Sequence, residues 1–180
     1  IGMNTRAFND MTESLLVARE REEDSQAREH ELSIATEIQA NLLPKKIPRL
    51  AGYDIDAFYQ PSKEVGGDYY DFIQIDDNHL GMIVADVSGK GIPGSMVMTM
   101  GRAIIRMEGL RNLSPADTFK VANKMIAADI RRGMFITAIY GILDVPNKTL
   151  LVASAGHNPM VIWRKESNAI QLVNPHGIAL

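Results

Sequence analysis

The side chains best placed for chemistry are two groups of aspartates set among glycines. They are Val65-Gly66-Gly67-Asp68-Tyr69-Tyr70-Asp71 and Ala85-Asp86-Val87-Ser88-Gly89-Lys90-Gly91. A hard divalent cation takes oxygen ligands, chiefly carboxylates and backbone carbonyls. Glycines beside a carboxylate let the backbone approach a metal or phosphate that a Cβ would obstruct. Asp86 closes an apolar stretch, and burying its charge there would be costly without a cation or hydrogen bonds. The competing reading is that both groups hold turn aspartates bracing tight bends. Spacing alone does not choose between them.

His157 is the next candidate, because a histidine can act as a general acid near neutral pH. Its competing role is structural, with the imidazole and the Asn158 amide tying together the turn Ala155-Gly156-His157-Asn158-Pro159. Lys90 could meet a substrate phosphate or simply stand in solvent. His30, His79 and His176 read as solvated, Met96, Met98, Met100 and Met107 as helical core packing, and Trp163 as core or rim packing. The sequence has no cysteine, which excludes disulfides, thiolate metal sites and cysteine nucleophiles.

These groups need elements to position them. Tyr53–Tyr59 alternates aromatics with aspartates and predicts a strand; Tyr69–Ile75 and His79–Val87 predict a hairpin across Asp76-Asp77-Asn78. A helix is expected from Pro93 to about Met107. A second starts at Ser114-Pro115-Ala116-Asp117, a cap, a proline at the first position and an acid in the first turn, and runs to about Arg132. Met134–Asp144, Thr149–Ala155, Met160–Arg164 and Ala169–Val173 then read as strands. Strands, two helices and more strands predict an α+β domain with helices on a sheet face, not a βαβ repeat.

The amino-terminal quarter differs. Phe8, Met11, Leu15 and Ala18 step by three and four, as do Ile34, Ile38 and Leu42. Between them, eight of the twelve residues Glu20–Glu31 are charged. One long helix with a weak, shifting coiled-coil seam fits this, ended by Pro44 and Pro48.

Of the 180 residues 46% are hydrophobic, enough for a sizeable core in one domain plus an appendage. The net charge of −3 offers no basic excess to draw the chain onto nucleic acid. The longest apolar runs fall far short of the ~20 residues of a membrane span. The opening Ile-Gly-Met-Asn-Thr-Arg is no signal peptide and reads as part of something longer, here a soluble piece.

From about Ala35 the sequence resembles the SpoIIE/RsbU-like branch of the PPM-type, metal-dependent protein serine/threonine phosphatases. The resemblance rests on Glu37-Ile38-Gln39 with Leu42-Leu43-Pro44, then Pro61-Ser62-Lys63-Glu64 leading into Val65–Asp71. Ala85–Gly91, Phe135-Ile136-Thr137-Ala138 and Ser154-Ala155-Gly156-His157-Asn158-Pro159 follow in the family's order. It implies a β-sandwich of two stacked sheets flanked by helices. It also implies two manganese or magnesium ions that activate a water against a phosphoserine or phosphothreonine, in line with two-metal chemistry. Asp68 would then bind one metal, Asp86 would bridge both, and the Val87 carbonyl would be a further ligand. The family's later aspartates have no counterpart here, so the domain is expected to be truncated at its carboxyl end and little active alone.

Ile1-Gly2 with Arg6-Ala7-Phe8-Asn9-Asp10-Met11 and Leu15 resembles the last helix of a HAMP signalling domain. Together the resemblances imply HAMP over residues 1–17, a charged linker helix over 18–43 and the phosphatase domain over 44–180. They imply the cytoplasmic portion of an inner-membrane sensor, a parallel homodimer through the amino-terminal helix, and a phosphorylated STAS-type anti-sigma factor antagonist as substrate. A diguanylate cyclase, suggested by Gly66-Gly67-Asp68, fails because Tyr69-Tyr70 replace the Glu-Phe of that motif. A non-catalytic dimerising signalling module remains the alternative.

Overall fold

The computed structural model describes residues 2–60, 65–89 and 91–180. The chain resolves into two compact units, residues 1–38 and 39–180. The element order is α1 (Gly2–Leu42), β1 (Tyr69–Gln74), β2 (His79–Val87), α2 (Ile92–Gly109), α3 (Pro115–Asp129), β3 (Ile136–Asp144), β4 (Thr149–Ala155), β5 (Met160–Arg164) and β6 (Ala169–Val173).

In the first unit α1 is a single helix, and Met11, Leu15, Ile34 and Ile38 are exposed on it. Its charged middle runs helical without a break, helped by good helix formers and an Arg19–Glu23 pair at 2.8 Å. No helix among the described residues is long and apolar enough to cross a membrane.

In the second unit, β1-β2-β3-β4 form an antiparallel meander, and β5-β6 a separate two-stranded sheet. Strand alternation sorts the meander's side chains. Tyr69 and Ile73 of β1, Ile83, Ala85 and Val87 of β2, and Ile136, Ala138, Tyr140 and Ile142 of β3 point to one face. Met98, Ile104 and Ile105 of α2 and Phe119, Ala122 and Ile126 of α3 close over them to make the core. Ser114 caps α3 as expected, its hydroxyl accepting from the Asp117 N–H at 3.2 Å. That helix stops at Asp129, short of Arg132, because Ile130 is already extended and Gly133 turns the chain at φ 88°.

Several expectations need correction. Tyr53–Tyr59 alternates in exposure like a strand but joins no ladder, so its period-2 pattern is met without a partner. His79 is not solvated: Nδ1 lies 2.8 Å from Asp76 and Nε2 3.6 Å from Asp144. Met98 and Met100 do pack in or against the core, while Met96 and Met107 are exposed. Trp163 is also exposed. On β5-β6 it stands opposite Ile170, beside the pair Val161–Leu172, and all four are exposed.

Candidate active site

Register assembles the site. Tyr69 pairs with Ala85 and Tyr70 with Val84, so one step past the ladder's end Asp68 comes opposite Asp86. The Val87 N–H donates to the Gly67 carbonyl at 3.3 Å and carries the pairing through that step. On the other side of β2, Thr137 lies opposite Asp86. Asp68, Asp86 and Thr137 thus form one row across three neighbouring chain segments.

Alternation puts this row on the sheet face away from α2 and α3. Asp86 is therefore exposed at the mouth of a cleft, not buried at a strand end as its apolar neighbours suggested. The cleft, about 720 Å³, lies between the sheet, with Tyr70, Val84 and Ile139 as its floor, and the extended segment 55–60. His157 and Asn158 line its rim. Lys90 lies outside the described residues.

Glycines allow the two acidic turns to close. A Cβ on Gly67 would lie 2.6 Å from the Val87 carbonyl oxygen, so only glycine lets the strands meet there. Gly89, at φ 106°, turns the chain out of β2 into a conformation that L side chains rarely adopt. Ser88 anchors the bend: its N–H donates to the Phe135 carbonyl at 2.9 Å, and its hydroxyl accepts from the Phe135 N–H at 2.7 Å.

Partial burial raises the Asp68 carboxyl above its ordinary value, and the Asp86 charge and a hydrogen bond between the two carboxyls raise it further. Burial lowers the His157 imidazole below its ordinary value, opposed by Asp86 and Asp68. The Thr137 hydroxyl donates to the Asp86 carbonyl at 3.3 Å and lies 3.0 Å from His157 Nδ1. The Tyr59 hydroxyl, at the cleft wall, is buried with no hydrogen-bond partner among the described residues.

Two carboxylates that repel each other in a partly desolvated cleft are the donor set a hard cation satisfies. Asp68, Asp86 and the Val87 carbonyl fit such an ion in kind. Among the described residues, no group of three or more His, Cys, Asp or Glu side chains is arranged to hold a metal.

Thr137, Tyr59 and Gln39 carried no role of their own in the sequence reading, and Asp71, the last of the first aspartate group, turns into the core and not to the cleft. Thr137 interrupts the apolar run Met134–Leu143, a signal that a polar group is wanted there. Asp71 shares the inward parity of Tyr69 and Ile73, which requires a buried partner and finds Arg106 at 2.6 Å. Tyr59 had only its place in an alternating segment. Gln39 left no local signal, because its partner Gly66 is 27 residues away.

Comparison with known proteins follows the geometry. Phosphoserine phosphatase RsbU of Bacillus subtilis is 31% identical over 150 residues, 83% of this chain and 44% of that protein. Phosphoserine phosphatase RsbP of the same organism is 29% identical over 148 residues, 80% of this chain and 36% of that protein. The chain thus spans less than half the length of these curated relatives. The SiaA-PP2C domain of Pseudomonas aeruginosa superposes with a TM-score of 0.68 at 18% identity, over 86% of this chain and 62% of that structure. The PP2C phosphatase domain of the cell fate determinant SpoIIE from Bacillus subtilis, solved with a fragment of its regulatory domain, gives 0.55 at 14%, over 63% and 33%. Both likenesses are of fold, and they bear out the α+β PPM-type architecture. Residues 76–180, more than half of the chain and inclusive of Asp86 and His157, match Stage II sporulation protein E (SpoIIE), and the chain belongs to that family.

Proposed function

We propose that this chain is part of a metal-dependent protein phosphatase that removes phosphate from phosphoserine or phosphothreonine of a regulatory protein. The observation that carries the reading is the Asp68–Asp86 pair, set opposite each other by register in a cleft of a SpoIIE-family domain. Asp68 and Asp86 hold the cations, with the Val87 carbonyl beside them; manganese or magnesium suits these oxygens. When bound, two such ions supply an activated water and neutralise phosphoryl charge. Asp86 would be the carboxylate shared between the ions, as the family resemblance implies, with Asp68 opposite it.

The remaining residues act on position and protons. Thr137 fixes the His157 ring by its contact with Nδ1 at 3.0 Å and leaves the Nε2 side of the ring to face a substrate. Because burial disfavours the protonated ring, His157 serves better as an acceptor or orienting group than as a general acid. Asn158, on the same rim, can donate its amide to a phosphate oxygen. Lys90 is proposed to meet the same phosphate as a charge.

The substrate in this reading is a phosphorylated STAS-type anti-sigma factor antagonist. RsbU and RsbP, both phosphoserine phosphatases by name, support a phosphoprotein substrate. Residues 1–17 are read as the end of a HAMP domain, 18–43 as the linker helix and 44–180 as the phosphatase domain. Exposed Met11, Leu15, Ile34 and Ile38 support burial against a second copy, in a parallel homodimer on the cytoplasmic side of an inner-membrane sensor. A non-catalytic signalling module is the second reading, favoured by the lack of a three-ligand group among the described residues.

The test uses the full-length protein and a phosphoserine protein substrate with manganese. Asp86→Asn should abolish hydrolysis while circular dichroism stays unchanged, because it removes a charge and almost no volume. Near-normal turnover in the folded variant would refute the assignment. No turnover by the wild type under any divalent metal would favour the non-catalytic module.

A further inference from the structure

We propose that the turn Arg131-Arg132-Gly133-Met134-Phe135 is a docking surface for the protein substrate, selecting a phosphoserine flanked by an apolar residue and then by acidic ones; this rests on the phosphatase reading above. Register places the turn beside the aspartates. β2 and β3 pair as far as Val87 with Ile136, and Ser88 carries the pairing one residue further by its two bonds to Phe135. Ser88 and Phe135 therefore share the sheet face of Asp86 and Thr137, two residues along each strand. At ~3.4 Å per residue, Phe135 stands about 7 Å along β3 from the aspartate row. It is 45% exposed there, a large aromatic left in water.

Two cations come just before it. Arg131 and Arg132 are both exposed, and neither makes a hydrogen bond or ion pair with any described residue. Asp129, the acid nearest to them in sequence, pairs with neither. The backbone that carries them is fixed at its base. The Met134 N–H donates to the Arg131 carbonyl at 3.0 Å, Gly133 makes the reversal at φ 88°, and the Ile136 N–H and carbonyl both bond Leu180 at 2.9 Å. Met134 packs over the acidic turn, its methyl 3.5 Å from where a Cβ on Gly89 would stand. A partner that meets these arginines therefore orders little backbone.

This arrangement dictates the partner's chemistry. The phosphate belongs over the Asp68–Asp86 row in the phosphatase reading. A substrate segment lying extended along β3 repeats on one side every two residues, about 7 Å, as the strand does. Its residue two places from the phosphoserine then meets Phe135, and the residues just beyond meet Arg131 and Arg132. Apolar and then carboxylate side chains fit those places. With a net charge of −3 and an acidic row at the cleft, the chain repels an acidic segment over much of its surface, so the two free arginines favour one placement. Exposed pairs of this kind act on specificity and encounter more than on raw affinity, and salt weakens them.

The experiment uses the full-length protein with manganese and two fluorescent phosphoserine peptides. Both carry leucine two residues to either side of the phosphoserine; one has glutamate and the other glutamine at the third and fourth places on each side. Anisotropy at low salt reads binding, and phosphate release reads turnover. Wild type should bind the glutamate peptide about fivefold more tightly, and the preference should vanish near 1 M salt. Arg131→Gln with Arg132→Gln should remove the preference, Arg131→Glu with Arg132→Glu should reverse it, and lysine at both positions should keep most of it. Phe135→Ala should weaken both peptides alike. No preference in wild type overturns the proposal. So does a glutamine double variant that weakens both peptides equally, because the arginines would then hold the phosphate itself. A wild type that shows the preference but releases no phosphate sinks the phosphatase reading and leaves the docking surface standing.

Discussion

Asp71 of β1 and Arg106 of α2 meet in a 2.6 Å ion pair whose carboxylate is 3% exposed and whose guanidinium side chain is 39% exposed. Asp71 also accepts from the Tyr69 hydroxyl and from the Phe72 N–H, each at 2.8 Å. The pair pins the helix layer to the strand that leads out of Asp68. Its two members are not equivalent, since only one can turn to water when the other is lost.

Arg106→Met strands a charge in the core and should cost about 3 kcal/mol, the low end for a broken buried pair because two hydrogen bonds to Asp71 persist. Asp71→Asn leaves Arg106 within reach of solvent and should cost nearer about 1 kcal/mol. Urea denaturation of both variants measures the difference. Equal costs, or the reverse order, would contradict the burial asymmetry.

Neighbouring glycines should respond differently to the same methyl group. Gly67→Ala places a Cβ 2.6 Å from the Val87 carbonyl and should destabilise by about 2 kcal/mol. Gly66→Ala meets nothing nearer than 3.9 Å and needs no left-handed backbone, so thermal melting should scarcely move.

Asp68→Asn should stabilise the metal-free protein at neutral pH. Burial and the facing Asp86 raise the Asp68 carboxyl, so its charge opposes folding at pH values above its folded pKa. Removing that charge should gain about 0.5 kcal/mol, the scale of a solvent-screened pair. Added manganese should then reverse the order, stabilising wild type by mass action and the variant little. A less stable variant in chelator would show that the two carboxylates do not oppose one another.

The tip of the β3–β4 turn carries a pH-dependent contribution. The Asn147 side chain and backbone N–H bond Asp144 at 2.8 Å and 3.0 Å and hold its carboxyl below 3.8, with His79 assisting. A depressed carboxylate adds stability above its unfolded pKa and loses it as pH falls through the folded one. Asn147→Ala should therefore be less stable than wild type at pH 6, and the two stability curves should converge as pH falls below the ordinary carboxylate range. A gap that persists at the acid end would assign the effect to packing.

Much of this architecture was legible in the residues. Period-2 runs bounded by polar turns marked the ends of β2, β4, β5 and β6, and Ser114-Pro115 marked the start of α3, because those signals are local. Tyr53–Tyr59 carried the same period without a ladder, since a pattern states which side chains face inward and not whether a partner is present. Asp68 and Asp86 were named from their glycines, but their shared row came from register, a property of two strands at once. His79 and Asp71 were misjudged or passed over for a related reason. Arg106, the partner of Asp71, and Asp144, the second carboxylate beside His79, are remote in sequence and adjacent only after folding, whereas Asp76 three residues before His79 was a local partner the reading passed over.

The sequence's one tryptophan, Trp163, stands on the exposed face of β5-β6 at 59% exposure. Intrinsic fluorescence of this protein therefore watches that hairpin and is nearly blind to the meander. Tyr140 and Tyr69, at 0% and 3% exposure, are the chromophores that sense the core. A melt followed by tryptophan emission would report the loosening of two strands and pass for global unfolding. By the same token, whatever comes to rest on Val161, Trp163, Ile170 and Leu172 will announce itself as a blue shift from a single emitter, with no label required.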